Sequence, residues 1–208
     1  MPEKKTRAPR RKKADEFERA RVEIKGESVN DVSAREVSVQ QGSVRDIKKA
    51  DRVEIRMGGA NAIDAKSVSV SQGGVAQVTA DTVDVKQGGI ANAQAETIQV
   101  TQGCIGLAQA ESIELQAGGA VAIVGTTVEV QAGGSQYMLA RESIHVEQGG
   151  AAVMIAPRIE IENGTAGFVI AREVHGNVRA MFDERGALVF GIAAGIVMGV
   201  LARSRRRK

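Results

Sequence analysis

The sequence predicts an all-β fold: a single-stranded β-solenoid (β-helix) of about ten 15-residue coils, followed by one C-terminal transmembrane α-helix. Three observations predict it. An apolar–x–apolar pair recurs at near-constant spacing, a glycine column keeps register with that pair, and a long uncharged stretch lies near the C-terminus.

The pair begins at Val22, Val37, Val53, Val68, Val83, Ile98, Ile113, Val128, Ile144 and Ile159, at intervals of 15 or 16 residues. Such a period marks stacked structural repeats. Val83 and Val85 alternate with Asp84 and Lys86, the pattern of a half-buried strand. After the turn Gln87-Gly88-Gly89, the next inward positions are Ile90, Ala93 and Ala95. Ile90 and Ala93 are three apart, so a bend between them is needed to bring both inside. Each unit reads as three short sides and three corners. Helical repeats are longer, and paired glycines with β-branched pairs do not suit them.

The first corner glycine recurs as Gly42, Gly58, Gly73, Gly88, Gly103, Gly118, Gly133, Gly149 and Gly164. A corner with positive φ is the expected reason. An amide often precedes it, at Gln41, Gln72, Gln87, Gln102, Gln148 and Asn163. Stacked about 4.8 Å apart, these amides are expected to hydrogen-bond along the rod. Near-constant spacing leaves no long loops to build a catalytic cleft, and the thin cross-section leaves no interior cavity.

Composition agrees. Aromatics make up 2% of the 208 residues, with 1 Cys and 2 His. Small aliphatic side chains must therefore fill the core, and no disulfide, zinc or iron–sulfur cluster can form within one chain. His145 and His175 lack ligand-spaced companions, and Cys104 stands in for the second glycine of its corner. No catalytic, cofactor-binding or metal-binding residue is assigned. The expectation is a protein that is not an enzyme, holds no cofactor and takes no small-molecule substrate.

The residue between the paired apolar positions should point outward. Down the stack it reads Glu23, Ser38, Glu54, Ser69, Asp84, Gln99, Glu114, Glu129, His145 and Glu160, a solvated, mostly acidic face. The regular Thr-x-Thr array of ice-binding solenoids is absent. Glu114 and Glu129 are read as screened carboxylates rather than a cation site.

Another side changes character along the rod. One outward column runs Asp31, Asp46, Ala62, Gln77 and Asn92, then Leu107, Ala122, Tyr137, Val153 and Phe168. Its neighbour runs from Ser33, Lys48, Asp64, Thr79, Gln94 and Gln109 to Val124, Leu139, Ile155 and Ile170. A contiguous exposed apolar patch marks an interface. Leu107, Val124, Tyr137, Leu139, Val153, Ile155, Phe168 and Ile170 are its expected members, unless the chain's own ends fold back over them.

The ends differ from the body. Residues 1–21 hold nine Lys/Arg and four Asp/Glu, and residues 203–208 hold five basic residues. The body between keeps 14 basic and 21 acidic residues, so nucleic acid is not an expected partner. Residues 1–21 read as a disordered basic arm without the apolar core of a signal peptide. The solenoid is assigned to residues 22–182. Gly186–Ala202 is 17 residues without a charge, about 25 Å as a helix and the lower limit for crossing a bilayer. Ala187, Gly191, Gly195 and Gly199, spaced by four, would form one close-packing helix face. Arg203, Arg205, Arg206, Arg207 and Lys208 follow at once, placed to contact anionic lipid. A single-pass tail anchor with the body in the cytoplasm is preferred; a membrane hairpin or surface-bound helix stays open.

Gly186–Lys208, with GIAAGIVMG followed by LARSRRRK, resembles the glycine-zipper tails of small bacterial tail-anchored inner-membrane proteins. The stacked repeats behind a basic arm resemble bactofilins, polymer-forming cytoskeletal β-solenoids. Val174-His175-Gly176-Asn177-Val178-Arg179-Ala180 is similar to the V-x-G-N-I-x-A phrase of their coils. The resemblance implies a cytosolic, membrane-associated scaffold that assembles end to end. The Gln-Gly-Gly corner and the C-terminal apolar segment depart from that family. The expected function is a membrane-anchored scaffold that self-associates as a homo-oligomer through the apolar face and the glycine-faced helix. The alternative is a membrane-tethered module that recruits a partner protein.

Overall fold

The structure, a computed structural model, describes residues 21–26 and 28–180, with side chains described as far as residue 176. It is a β-solenoid. Eight strands follow in order: β1 (Arg21–Lys25), β2 (Ser28–Val32), β3 (Glu36–Val70), β4 (Gly73–Thr79), β5 (Thr82–Gln94), β6 (Thr97–Ile155), β7 (Arg158–Ile170) and β8 (Glu173–Ala180). All pairings between them are parallel, and the sheet runs β1-β3-β4-β5-β6-β7-β8, with β2 also on β3. β3 and β6 reach 35 and 59 residues because the hydrogen-bonded ladder continues around the corners.

Register follows the repeat. Val22 pairs with Val37, Val68 with Val83, Val83 with Ile98 and Ile144 with Ile159. Every apolar pair from Val37/Val39 to Ile159/Ile161 is buried. The bend between Ile90 and Ala93 brings both inside, as expected. Bulk alternates between these two columns. Ile90–Ala93 and Ile105–Ala108 put the large residue first; Ala60–Ile63 and Ala151–Met154 put it second. The narrow interior keeps a near-constant volume per coil this way, as close packing demands. Ala95 sits at the rim of the core and packs against it while half-buried.

The extra residue in the second coil has a visible place. Ile47 pairs with Val32 at the 15-residue spacing, whereas the Asp51 and Arg52 amides both donate to the Arg35 carbonyl. The slack falls between them, where Lys49 adopts φ 56°. A single left-handed residue absorbs an insertion in the manner of a β-bulge. At the far end, β8 pairs Val174 with Ile159, then shifts register so that Val178 meets Gly164. Gly176 replaces the second apolar residue there with φ 103°.

The corner glycines correct the sequence reading in part. Gly73, Gly118, Gly133 and Gly149 do have positive φ, but Gly88 and Gly103 are not among the positive-φ glycines. What the column shares is close approach. A Cβ on Gly58, Gly73, Gly88, Gly103, Gly118, Gly133 or Gly149 would point along the rod into the carbonyl oxygen of the glycine one coil before. Coils stacked at strand spacing leave no room for that methyl group.

Residues 1–20 and 181–208, and with them the expected anchor, glycine-faced helix and basic tail, lie outside the described residues. Among the described residues no helix is long and apolar enough to cross a membrane.

Candidate interaction face

Alternation along each side aims the face residues outward while their neighbours point into the core. In β7, Ala166 is buried, Phe168 is exposed, Val169 packs against the core and Ile170 is exposed. Register then stacks like on like: Val153 pairs with Phe168, and Ile155 with Ile170. Leu107 pairs with Asn92, so the polar-to-apolar change falls between these two adjacent coils. Asn92 carries a buried Oδ1 with no hydrogen-bond partner at this boundary.

All eight expected face residues lie in the described body. Phe168 is 51% and Ile170 55% exposed, high values for such large apolar side chains. Leu107, Val124, Tyr137 and Leu139 are also exposed, whereas Val153 and Ile155 are half-buried. Neither Val153 nor Ile155 belongs to the core cluster. Ser135, behind the face, satisfies its hydroxyl by donating to the Tyr137 carbonyl at 3.0 Å.

Three exposed apolar residues escaped the column reading. Val121 adjoins the face from a corner column otherwise filled by small or polar residues such as Ala91, Gly106 and Gln136. Its size among those neighbours was the available signal. Met57 sits in the corner-amide column, and Val174 lies on the last strand.

Apart from Met57 and Val174, the other sides are polar, and several of their side chains pair with one another. The amide ladder forms: Gln72 Nε2 donates to Gln87 Oε1 at 3.2 Å, and Gln87 Nε2 to Gln102 Oε1 at 3.1 Å. A second ladder links Gln94 to Gln109 at 3.3 Å. Gln99 and Gln116 both donate to Glu114. Lys66 meets Asp51 at 2.8 Å, holding the Asp51 carboxyl below its ordinary range chiefly through their hydrogen bond and then through charge. The same contact raises the Lys66 ammonium. The acidic outward column is less solvated than its composition implies. Ser38 is only 6% exposed, set between Glu23 and Glu54, with Gln40 reaching across to Glu23 at 3.0 Å.

The chemistry-bearing residues are scattered. His145 Nδ1 faces Glu160 at 3.4 Å, His175 is exposed on the last strand, and Cys104 is an exposed free thiol. Among the described residues, no group of three or more His, Cys, Asp and Glu is placed to hold a metal ion. Beside the face lies a shallow recess lined by Gln109, Val124, Gly125 and Arg141. The chain matches no family model, no curated protein and no solved structure.

Proposed function

We propose that this chain is a membrane-anchored structural scaffold whose solenoid body self-associates through its apolar face, with Gly186–Ala202 as the anchor. The observation that carries the reading is the exposed apolar face confined to one side and one half of an otherwise polar rod. A rod with a self-propagating core is a stiff spacer, since each coil is held by its neighbours on either side. An apolar stripe on such a spacer favours lateral association over chemistry.

The size of the face supports a supplementary role for the membrane. Five coils at about 4.8 Å and three residues across at about 3.3 Å give roughly 250 Å2. A stable dimer needs about 800 Å2 from each partner. The face alone is too small, so confinement on a bilayer would raise local concentration enough for weak contacts to count. The test is flotation of the full chain with vesicles of phosphatidylglycerol and phosphatidylcholine, followed by cross-linking. The expected result is co-flotation with ladders of cross-linked species, and loss of co-flotation when Gly186–Lys208 is removed. Co-flotation as uncross-linked monomers would favour recruitment of a different protein, and no flotation would overturn the anchor.

A further inference from the structure

The apolar face and the end of the described chain lie together. β8 ends at Ala180, whose register partner is Ala166, two residues before Phe168. The last described residue therefore lies beside the columns that hold Phe168 and Ile170. Beyond it lie Met181–Arg185 and then the uncharged run Gly186–Ala202. Extended, the five intervening residues reach ~17 Å, enough to turn back along the rod.

Dimensions and charge agree with such a return. The face from Leu107 to Ile170 is ~24 Å long at strand spacing and ~10 Å wide. A 17-residue helix is about 25 Å long and about 10 Å across. The same face supplies too little area to hold a second rod in dilute solution, without confinement on a bilayer. A segment returning along it would bring residues 203–208 past Leu107 toward the polar half. There Asp81, Glu96 and Glu111 stack on successive coils, joined by Glu96 N–H to the Asp81 carbonyl and Glu111 N–H to the Glu96 carbonyl, both at 3.0 Å. All three side chains are exposed, beside the column that holds Gln94 and Gln109. Five basic residues at 203–208 complement this acidic edge.

We infer that Gly186–Ala202 docks on the apolar face of its own chain when no bilayer is present, and that its insertion into a bilayer uncovers the face for neighbouring copies. The inference rests on the reading of this face as the assembly surface. A tethered segment competes at an effective concentration on the order of mM. It therefore outcompetes a second copy in dilute solution and loses only to a phase that takes up the segment itself.

The test uses the full chain carrying Cys104→Ser and Leu139→Cys, with maleimide labelling as the readout. In dilute buffer the thiol at 139 is expected to react ~10-fold more slowly than in the same chain with Ile192→Asp and Ile196→Asp added. Protection should not change on dilution. Vesicles of phosphatidylglycerol and phosphatidylcholine, at one chain per vesicle, should abolish it. A control thiol at Lys86→Cys, on another side, should react equally throughout. Equal labelling with and without the two aspartates overturns the inference, as does protection that fades on dilution, which would place a second copy on the face. Unprotected thiol with intact assembly on vesicles leaves the scaffold reading standing alone. Protection without assembly on vesicles removes the scaffold reading and keeps the docking.

Discussion

A side chain on Gly88 would collide with the carbonyl oxygen of Gly73, because the missing Cβ points straight along the rod at the preceding coil. The next residue differs. A Cβ on Gly89 would sit 3.6 Å from the Cys104 carbonyl oxygen, an ordinary contact. The second column admits Ser43, Cys104 and Thr165 and closes up at Gly134 and Gly150, whereas the first holds glycine in nine successive coils from Gly42 to Gly164. Gly88→Ala is expected to lower stability by about 2 kcal/mol or more, since relief requires the coils to part. Gly89→Ala should change it by less than about 1 kcal/mol. Urea unfolding of the two variants checks this, and equal effects would return the explanation to backbone dihedrals.

The core carries a second testable relationship. Ile90 and Ala93 are both fully enclosed, with Ile105 and Ala108 in register above them. Ile90→Ala should cost about 2–4 kcal/mol by opening a cavity, and Ala93→Ile about 1–3 kcal/mol by overpacking. The double swap reproduces the Ala60–Ile63 arrangement found two turns earlier in register. It should therefore cost at least about 1 kcal/mol less than the sum of the single changes. Additive losses would mean that each column is sized by its stacking neighbours rather than by total volume.

Asp51 and Lys66 provide the pH-dependent contact. The Asp51 carboxyl is lowered from its ordinary 3.8, with its Lys66 hydrogen bond the largest cause. Its contribution to stability is present above that ordinary value and is lost as pH falls through the lower folded value. Lys66 is raised from 10.5, so its share is present below 10.5 and is lost as pH rises through the higher folded value. Between these limits the pair should add no pH dependence. An NMR titration should place the Asp51 midpoint below its ordinary 3.8, and Lys66→Met should return it to the ordinary range. Both groups are exposed, so added salt should shrink the shift.

Periodicity made most of the fold legible. Spacing alone places Val83, Val85, Ile90 and Ala93 inward, because a solenoid repeats one local pattern and each coil repeats the test of the last. The same logic exposed the change from Asn92 to Leu107 along a single column. It failed where neighbours rather than sequence position set the environment. Ser38 is buried although its column faces outward, beside Glu23 and the Gln40 amide that reaches Glu23. Gly88 is required by the backbone of Gly73, a contact 15 residues away that no dihedral argument contains. Val121 joins the apolar surface from a corner, where alternation gives no rule for direction.

The decisive prediction concerns the face itself. Leu139 and Ile170 lie in the same outward column, both exposed and outside the core cluster. Lysine at each position can keep its alkyl stem on the surface and its ammonium in water. Leu139→Lys with Ile170→Lys should therefore leave the far-UV spectrum unchanged and the unfolding midpoint nearly so, within about 1 kcal/mol in total. Association is another matter, because two ammonium groups would have to be desolvated against apolar partners. Burial of roughly 250 Å2 is worth only about 6 kcal/mol per face before association costs. Two buried unpaired charges would cancel that gain. On vesicles the double variant should still float with lipid but give monomers on cross-linking. Unchanged cross-linking would move the association element to the Gly191, Gly195 and Gly199 face of the anchor. Loss of the β-solenoid itself would show that these two side chains support the body rather than the contact between bodies.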